Sequence, residues 1–334
     1  MTNPVLRAAR PLFLPCAFFL VAQVRLPTLR AALVPVSSTN SSIQESSNSP
    51  LPPPPPASVP LPTAAIRAEV YGRATNFFAD TLYFKPAEVP GAEVYLRFAP
   101  LILQEVAGTN GQAGPRQDQF GSLAFSNGVV ALSLSRPSIY ASLDQVQLNG
   151  RPHARLAYSW CYSLQVGEGG GGLPWQGIRV TLNLAGEPVV WEVLADDSPA
   201  QLIFVSRNLE AAAQAQFGKP LPGRRFAVER SLEEAPRTIV GRVLDDTAAP
   251  MGPIVYLRAG TRAVSTVICR CMASQAKGVL ASITYDLRAA QTAPTQALLA
   301  AVVAQAKGSA PSWPEEGPAV TNRLDQCLRL PADF

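Results

Sequence analysis

The plainest pattern in the chain lies between residues 177 and 195, where Ile178, Val180, Leu182 and Leu184 alternate with Arg179, Thr181 and Asn183. After the break Ala185-Gly186-Glu187, a second run carries Val189, Trp191 and Val193. A period of two sets one face of a strand against a core and the other in water, and the break reads as a hairpin loop. The pattern therefore predicts a hairpin over 177–195 with Trp191 buried and Glu192 on the solvated face. Segment 153–166 repeats the alternation, with Leu156, Tyr158, Trp160 and Tyr162 on one side. Segments 120–134, 201–206, 237–244, 253–258, 263–269 and 279–287 are rich in Val, Ile, Leu or Tyr and are further strand candidates.

Two stretches follow a helical pattern instead. Residues 208–217 are strong helix formers behind Asn208, which can cap, and they stop at Gly218 before Lys219-Pro220. Residues 295–307 start at Thr295 after Pro294 and stop at Gly308. This second helix is apolar nearly all round, which predicts burial against a sheet, and at about 20 Å it is too short to span a bilayer. The expected fold class is α+β, mostly β, with antiparallel sheets, hairpins and two or three helices.

The first 63 residues are of a different kind. Residues 11–24 are an uncharged, mostly apolar run behind Arg7 and Arg10, the length of a signal-peptide core rather than of a spanning helix. No small-x-small cleavage site follows Val24, so an uncleaved signal anchor through residues 11–24 stands as the alternative. Pro11 and Pro15 would weaken such a membrane helix. An Arg-rich, acid-free start also suits an organelle transit peptide. Between Pro35 and Pro62 the chain turns to Ser and Pro, with Glu45 as the only charge and prolines at 52–56. Such a segment has too little apolar surface to offset its ordering entropy, and its proline run favours extended polyproline II. The same run is also a candidate ligand for an aromatic groove. The expected organisation is a signal peptide or anchor over 1–34, a spacer over 35–63 and a folded mostly-β domain over 64–334.

Composition changes one inference. The net charge of +4 invites a nucleic-acid reading until it is mapped. Arg7, Arg10, Arg25 and Arg30 precede any acidic residue, which leaves 24 basic against 24 acidic side chains from residue 37 onward. A neutral body lacks the basic footprint that nucleic acid demands.

Candidate chemistry is sparse. Cys16 lies in the targeting segment, and Cys161, Cys269, Cys271 and Cys327 remain. In an exported domain an even set suggests disulfides. A bridge within Cys269-Arg270-Cys271 would be strained, because neighbours two apart on a strand stand about 6.6 Å apart. The expected cross-links therefore run from this pair to Cys161 and Cys327; four separate buried thiols are the alternative in a reducing compartment. A sharper reading of Cys269, Cys271 and Met272 is a soft-metal or redox site, since two thiolates and a thioether suit Cu(I) and Arg270 would lower a thiol pKa if close. Zinc and iron-sulfur sites usually use C-x-x-C, and no such pair occurs.

Hydrolase motifs are thinner still. His153 and Cys161 would lie about 26 Å apart along one strand. Ser274-Gln275-Ala276-Lys277 matches Ser-x-x-Lys without its Ser-Asp-Asn or Lys-Thr-Gly companions. Glu192, Asp196 and Asp197 offer carboxylates, although Asp196-Asp197-Ser198-Pro199 reads as a turn. The Gly167–Gly172 run has no P-loop or dinucleotide spacing and reads as a loop.

No cofactor is expected and no catalytic set is assigned. The expectation is an extracytoplasmic domain, secreted or periplasmic, with a non-catalytic binding or structural role toward a protein or envelope component. A thiol-redox or metal-binding protein and a hydrolase with an unrecognised site are the alternatives.

Overall fold

Leu156, Tyr158, Trp160 and Tyr162 belong to one long strand, Arg151–Tyr162, and all four turn into the main core. The computed structural model describes residues 80–88, 93–106, 119–126, 129–162, 175–194, 201–234, 238–246, 251–269, 278–305, 323–332 and 334. All of these lie within the unit Ser58–Phe334. The described elements are β1 (Thr81–Pro86), α1 (Glu93–Phe98), β2 (Leu101–Glu105), β3 (Phe120–Ser126), β4 (Val129–Ser133), β5 (Ser138–Leu148), β6 (Arg151–Tyr162), β7 (Trp175–Leu182), β8 (Pro188–Leu194), β9 (Gln201–Ser206), α2 (Arg207–Phe217), β10 (Thr238–Leu244), β11 (Ile254–Leu257), β12 (Val264–Ile268), β13 (Val279–Ala289), α3 (Ala293–Gln305) and α4 (Arg323–Cys327).

The protein is α+β and mostly β, but its sheet is mixed rather than antiparallel. The strand order is β10-β9-β8-β7-β6-β5-β13-β1-β2-β11-β12, with the β3–β4 hairpin attached to the end of β6. Strands β5 to β9 form an antiparallel meander. Four pairs are parallel: β9 with β10, β13 with β5, β13 with β1, and β2 with β11. Parallel neighbours require long crossovers, which local alternation does not encode. The end strands β10 and β12 touch, so the sheet nearly closes into a barrel with a seam between them.

All the strands along this path send apolar side chains inward, from Phe84 of β1 to Tyr285 and Leu287 of β13, so the interior is filled. The outer face of β8, β9 and β10 is covered as well. There Val190, Ile203, Val205 and Val240 pack against Leu209 and Ala213 of α2 and against Leu324, Leu328, Leu330 and Phe334 of the C-terminal segment. A third cluster holds α3 against the β3–β4 hairpin, with Leu298 and Val302 beside Leu123, Val130, Tyr140, Cys161 and Trp175. Burial of each such aliphatic side chain contributes roughly 1.5–3 kcal/mol.

The hairpin expected over 177–195 forms from β7 and β8, and Asn183 closes its turn with Gly186 at φ 77°. The expected solvated face is overturned, because β7 is buried at every position: Arg179 is 5% exposed and Thr181 0%. Glu192 is likewise buried, at 1%. Leu184 falls past the end of β7 and is exposed.

Both expected helices form, with shifted starts. Ser206 rather than Asn208 caps α2, accepting the Leu209 N–H at 3.1 Å, and Gly218 ends the helix at φ 77°. Helix α3 begins at Ala293, before Thr295, whose hydroxyl meets that of Thr292 at 2.9 Å. Its side-chain burial is one-sided: Thr295, Leu298 and Val302 are buried while Ala297 and Ala300 face solvent. No helix among the described residues is long and apolar enough to cross a membrane. Residues 11–24, the spacer and its proline run lie outside the described residues.

Candidate functional site

The seam between β10 and β12 opens at one end into a pocket. Strand β9 runs into α2 and returns as β10 parallel to β9, so the carboxyl ends of both strands and the start of the helix converge there. In open α/β sheets this corner is a usual place for a ligand. The β7–β8 turn supplies Glu187, β8 supplies Pro188 and Trp191, and Asp245-Asp246 follow directly on β10. Met251-Gly252-Pro253 and the β12 end, Ile268 and Cys269, complete the wall. The pocket spans about 650 Å³ when the part open to solvent is included.

Segment 251–253 is held at a distance only glycine permits. A Cβ on Gly252 would lie 2.2 Å from the Phe98 carbonyl oxygen, and the Gly252 N–H donates to the Arg97 carbonyl at 3.0 Å. Strand β11 and the wall it carries are thereby fixed against the end of α1.

The mouth is acidic. Asp245 accepts from the Arg207 Nε at 2.7 Å and pairs with its guanidinium. Asp246 accepts the Asn208 backbone N–H at 2.9 Å, and Glu187 accepts from the Asn183 side-chain amide at 3.1 Å. Partial burial, then the charges of Glu187 and Asp245, hold the Asp246 carboxyl above the usual carboxylate range; the Asn208 N–H and Arg207 oppose this. On the apolar side, Trp191 is 6% exposed, and its buried indole N–H has no acceptor among the described residues. A buried donor left so costs about 1–3 kcal/mol.

The residues singled out from the sequence are scattered. Cys269 lines the pocket, whereas Cys271 and Met272 lie outside the described residues. The expected cross-links to Cys161 and Cys327 are not formed, because both of these are thiols in distant clusters. Cys161 is sealed in β6 beneath α3, and burial pushes its thiol far above the ordinary range. Cys327 packs with the outer-face cluster and accepts from the Thr238 hydroxyl at 3.1 Å.

His153 and Cys161 sit toward opposite ends of β6, and His153 stacks on Phe334 with centroids 4.6 Å apart. Its Nδ1 lies 3.0 Å from the Leu182 carbonyl, while Nε2 is buried without a partner among the described residues. Glu192 is no solvated acid but one half of a buried ion pair with Arg179. Asp196, Asp197, Ser274, Lys277 and the Gly167–Gly172 run lie outside the described residues. Among the described residues, no group of three or more His, Cys, Asp or Glu is placed to hold a metal ion.

Sequence reasoning missed Asp245, Asp246 and Met251 altogether and took Trp191 for core alone. The available signal was an acidic pair immediately behind the second strand of a strand-helix-strand unit. The chain matches no known protein family, no curated protein and no solved structure.

Proposed function

We propose that this is an exported domain with a non-catalytic binding role at the cell envelope, and that the seam pocket is its binding site. The pocket itself carries the reading: apolar walls from Pro188, Trp191, Met251, Pro253 and Ile268 converge with a few polar groups at the mouth, the usual make-up of a small-molecule site. The extracytoplasmic setting is supported by the basic, apolar leader over residues 1–34 and the Ser/Pro spacer over 35–63.

A thiol-redox role is the second reading, supported by the place of Cys269 on the same wall.

The binding reading is tested with N-phenyl-1-naphthylamine, a neutral apolar dye, titrated into the full chain. Saturable fluorescence enhancement is expected, and Met251→Trp, which fills the mouth from an exposed position, should abolish it without lowering the melting temperature. Enhancement that persists in Met251→Trp places the dye elsewhere and overturns the reading. Cell fractionation tests the setting; recovery of the chain in the cytosol overturns it.

A further inference from the structure

We infer that the seam pocket selects a ligand with a cationic head on an apolar body, an amine rather than a carboxylate or phosphate. This rests on the pocket being the binding site. The position alone argues the opposite way, because the carboxyl ends of parallel strands and a helix N-terminus usually receive anions through free backbone N–H groups. Here the chain's own groups have taken that role. The Asn208 N–H is given to Asp246 at 2.9 Å and the Leu209 N–H to the Ser206 hydroxyl at 3.1 Å. An incoming anion would have to displace a carboxylate that is already bonded to the helix terminus.

The charges agree. Glu187, Asp245 and Asp246 line the pocket, and no Lys, Arg or His is among the described residues that line it. Arg207 bears on Asp245 and Asp246 and Arg242 on Asp245, so three carboxylates face two guanidiniums and the mouth stays negative. Burial first, and then the charges of Glu187 and Asp245, hold the Asp246 carboxyl above its usual range. A cation placed among the three would relieve the repulsion between them.

The rest of the pocket defines the body. Pro188, Met251, Pro253 and Ile268 are apolar, and Trp191 adds an aromatic ring. Met251 brings a polarizable thioether that adapts to different shapes. A compact aromatic or branched aliphatic amine matches this combination of walls and mouth.

The test titrates 2-phenylethylamine and 3-phenylpropionate, probes of similar size and opposite charge, into the full chain at pH 7 and low salt by calorimetry. The amine is expected to bind at least about tenfold more tightly, a difference of about 1.4 kcal/mol. Glu187→Gln, at an exposed turn position, should narrow that gap, as should high salt. Equal or tighter binding of the acid, with the neutral dye still bound and still blocked by Met251→Trp, overturns the cationic preference and leaves the pocket reading standing. Failure of the dye and both probes to bind overturns the pocket reading and this inference together.

Discussion

Arg179 and Glu192 stand directly opposite one another across β7 and β8, with Nη1 and Oε2 3.8 Å apart and side chains only 6% and 2% exposed. Gln201 donates its amide to the other carboxylate oxygen at 3.2 Å. This charge pair lies on the sheet face that local alternation assigns to water. Removal of one partner strands the other charge in a buried site, so Glu192→Ala is expected to destabilise the domain by about 3–5 kcal/mol. The double variant Arg179→Met with Glu192→Leu should lie near the parent, because it removes both desolvation penalties. Urea unfolding decides the matter; a Glu192→Ala midpoint equal to the parent's would mean the pair contributes nothing.

Arg224 organises the connection between α2 and β10. Its guanidinium donates to the carbonyls of Arg230 at 2.7 Å, Thr238 at 2.8 Å and Ser231 at 3.2 Å, and lies 3.6 Å from the Glu229 carboxylate. Glu229 in turn accepts the N–H groups of Arg225, Phe226 and Val240. Arg224→Lys keeps the charge but loses the fork that reaches three carbonyls, and several kcal/mol of stability should go with it. A Lys variant that unfolds at the parent's urea midpoint would show that charge alone suffices.

Burial raises the Cys161 thiol above its ordinary 9.0, and burial followed by the Cys161 charge raises the neighbouring Tyr140 phenol above its ordinary 10.0. The unfolded chain releases these protons at ordinary values while the folded chain retains them. Their stabilising contribution is therefore full below pH 9.0 and is lost as the pH climbs past 9.0 and 10.0 toward the folded values. Melting temperatures should hold near neutrality and fall steeply in that alkaline window, less steeply in Cys161→Ala. Iodoacetamide at about pH 8 should leave Cys161 unmodified in the native protein and label it in urea; rapid native labelling counts against its burial.

The C-terminal segment is part of the core. Leu328 is 0% exposed, Arg230 holds the Asp325 and Leu328 carbonyls at 2.8 and 3.0 Å, and Asn149 reaches the Pro331 carbonyl at 2.9 Å. Leu328→Ala should cost about 2–5 kcal/mol. A cost below 1 kcal/mol would mean that the segment packs loosely against α2.

Removal of residues 1–57 should leave a cooperative transition, because Ser58–Phe334 forms a compact unit. A melting temperature within about 4 °C of the full chain is expected, and loss of the transition would make the leader part of the fold.

What the sequence settled by itself is local. Alternation at Leu156, Tyr158, Trp160 and Tyr162 identified β6 and its inward face, and residues 177–195 identified the β7–β8 hairpin with Trp191 buried. Helix formers between a polar start and Gly218 located α2. Strands β1, β2 and β5 went unread, though β5 forms the most extended pairing with β6. Its polar Asp144, Gln145 and Gln147 broke the apolar run that a strand reading relies on.

Only the tertiary structure decided which faces are covered. Val190 is apolar and Glu192 charged, yet both are buried, because α2 and the C-terminal segment cover the outer face of β8 to β10 from distant parts of the chain. The parallel pairs of β13 with β1 and β5 join segments too far apart for any local period to register them. The pocket is of the same kind. Glu187, Trp191, Asp246 and Ile268 are dispersed along the sequence, and they meet only where β12 comes round to touch β10. Periodicity reports how a segment meets its immediate surroundings, whereas closure of the sheet is set by contacts between segments with no common period, and at the seam of that closure the candidate site lies.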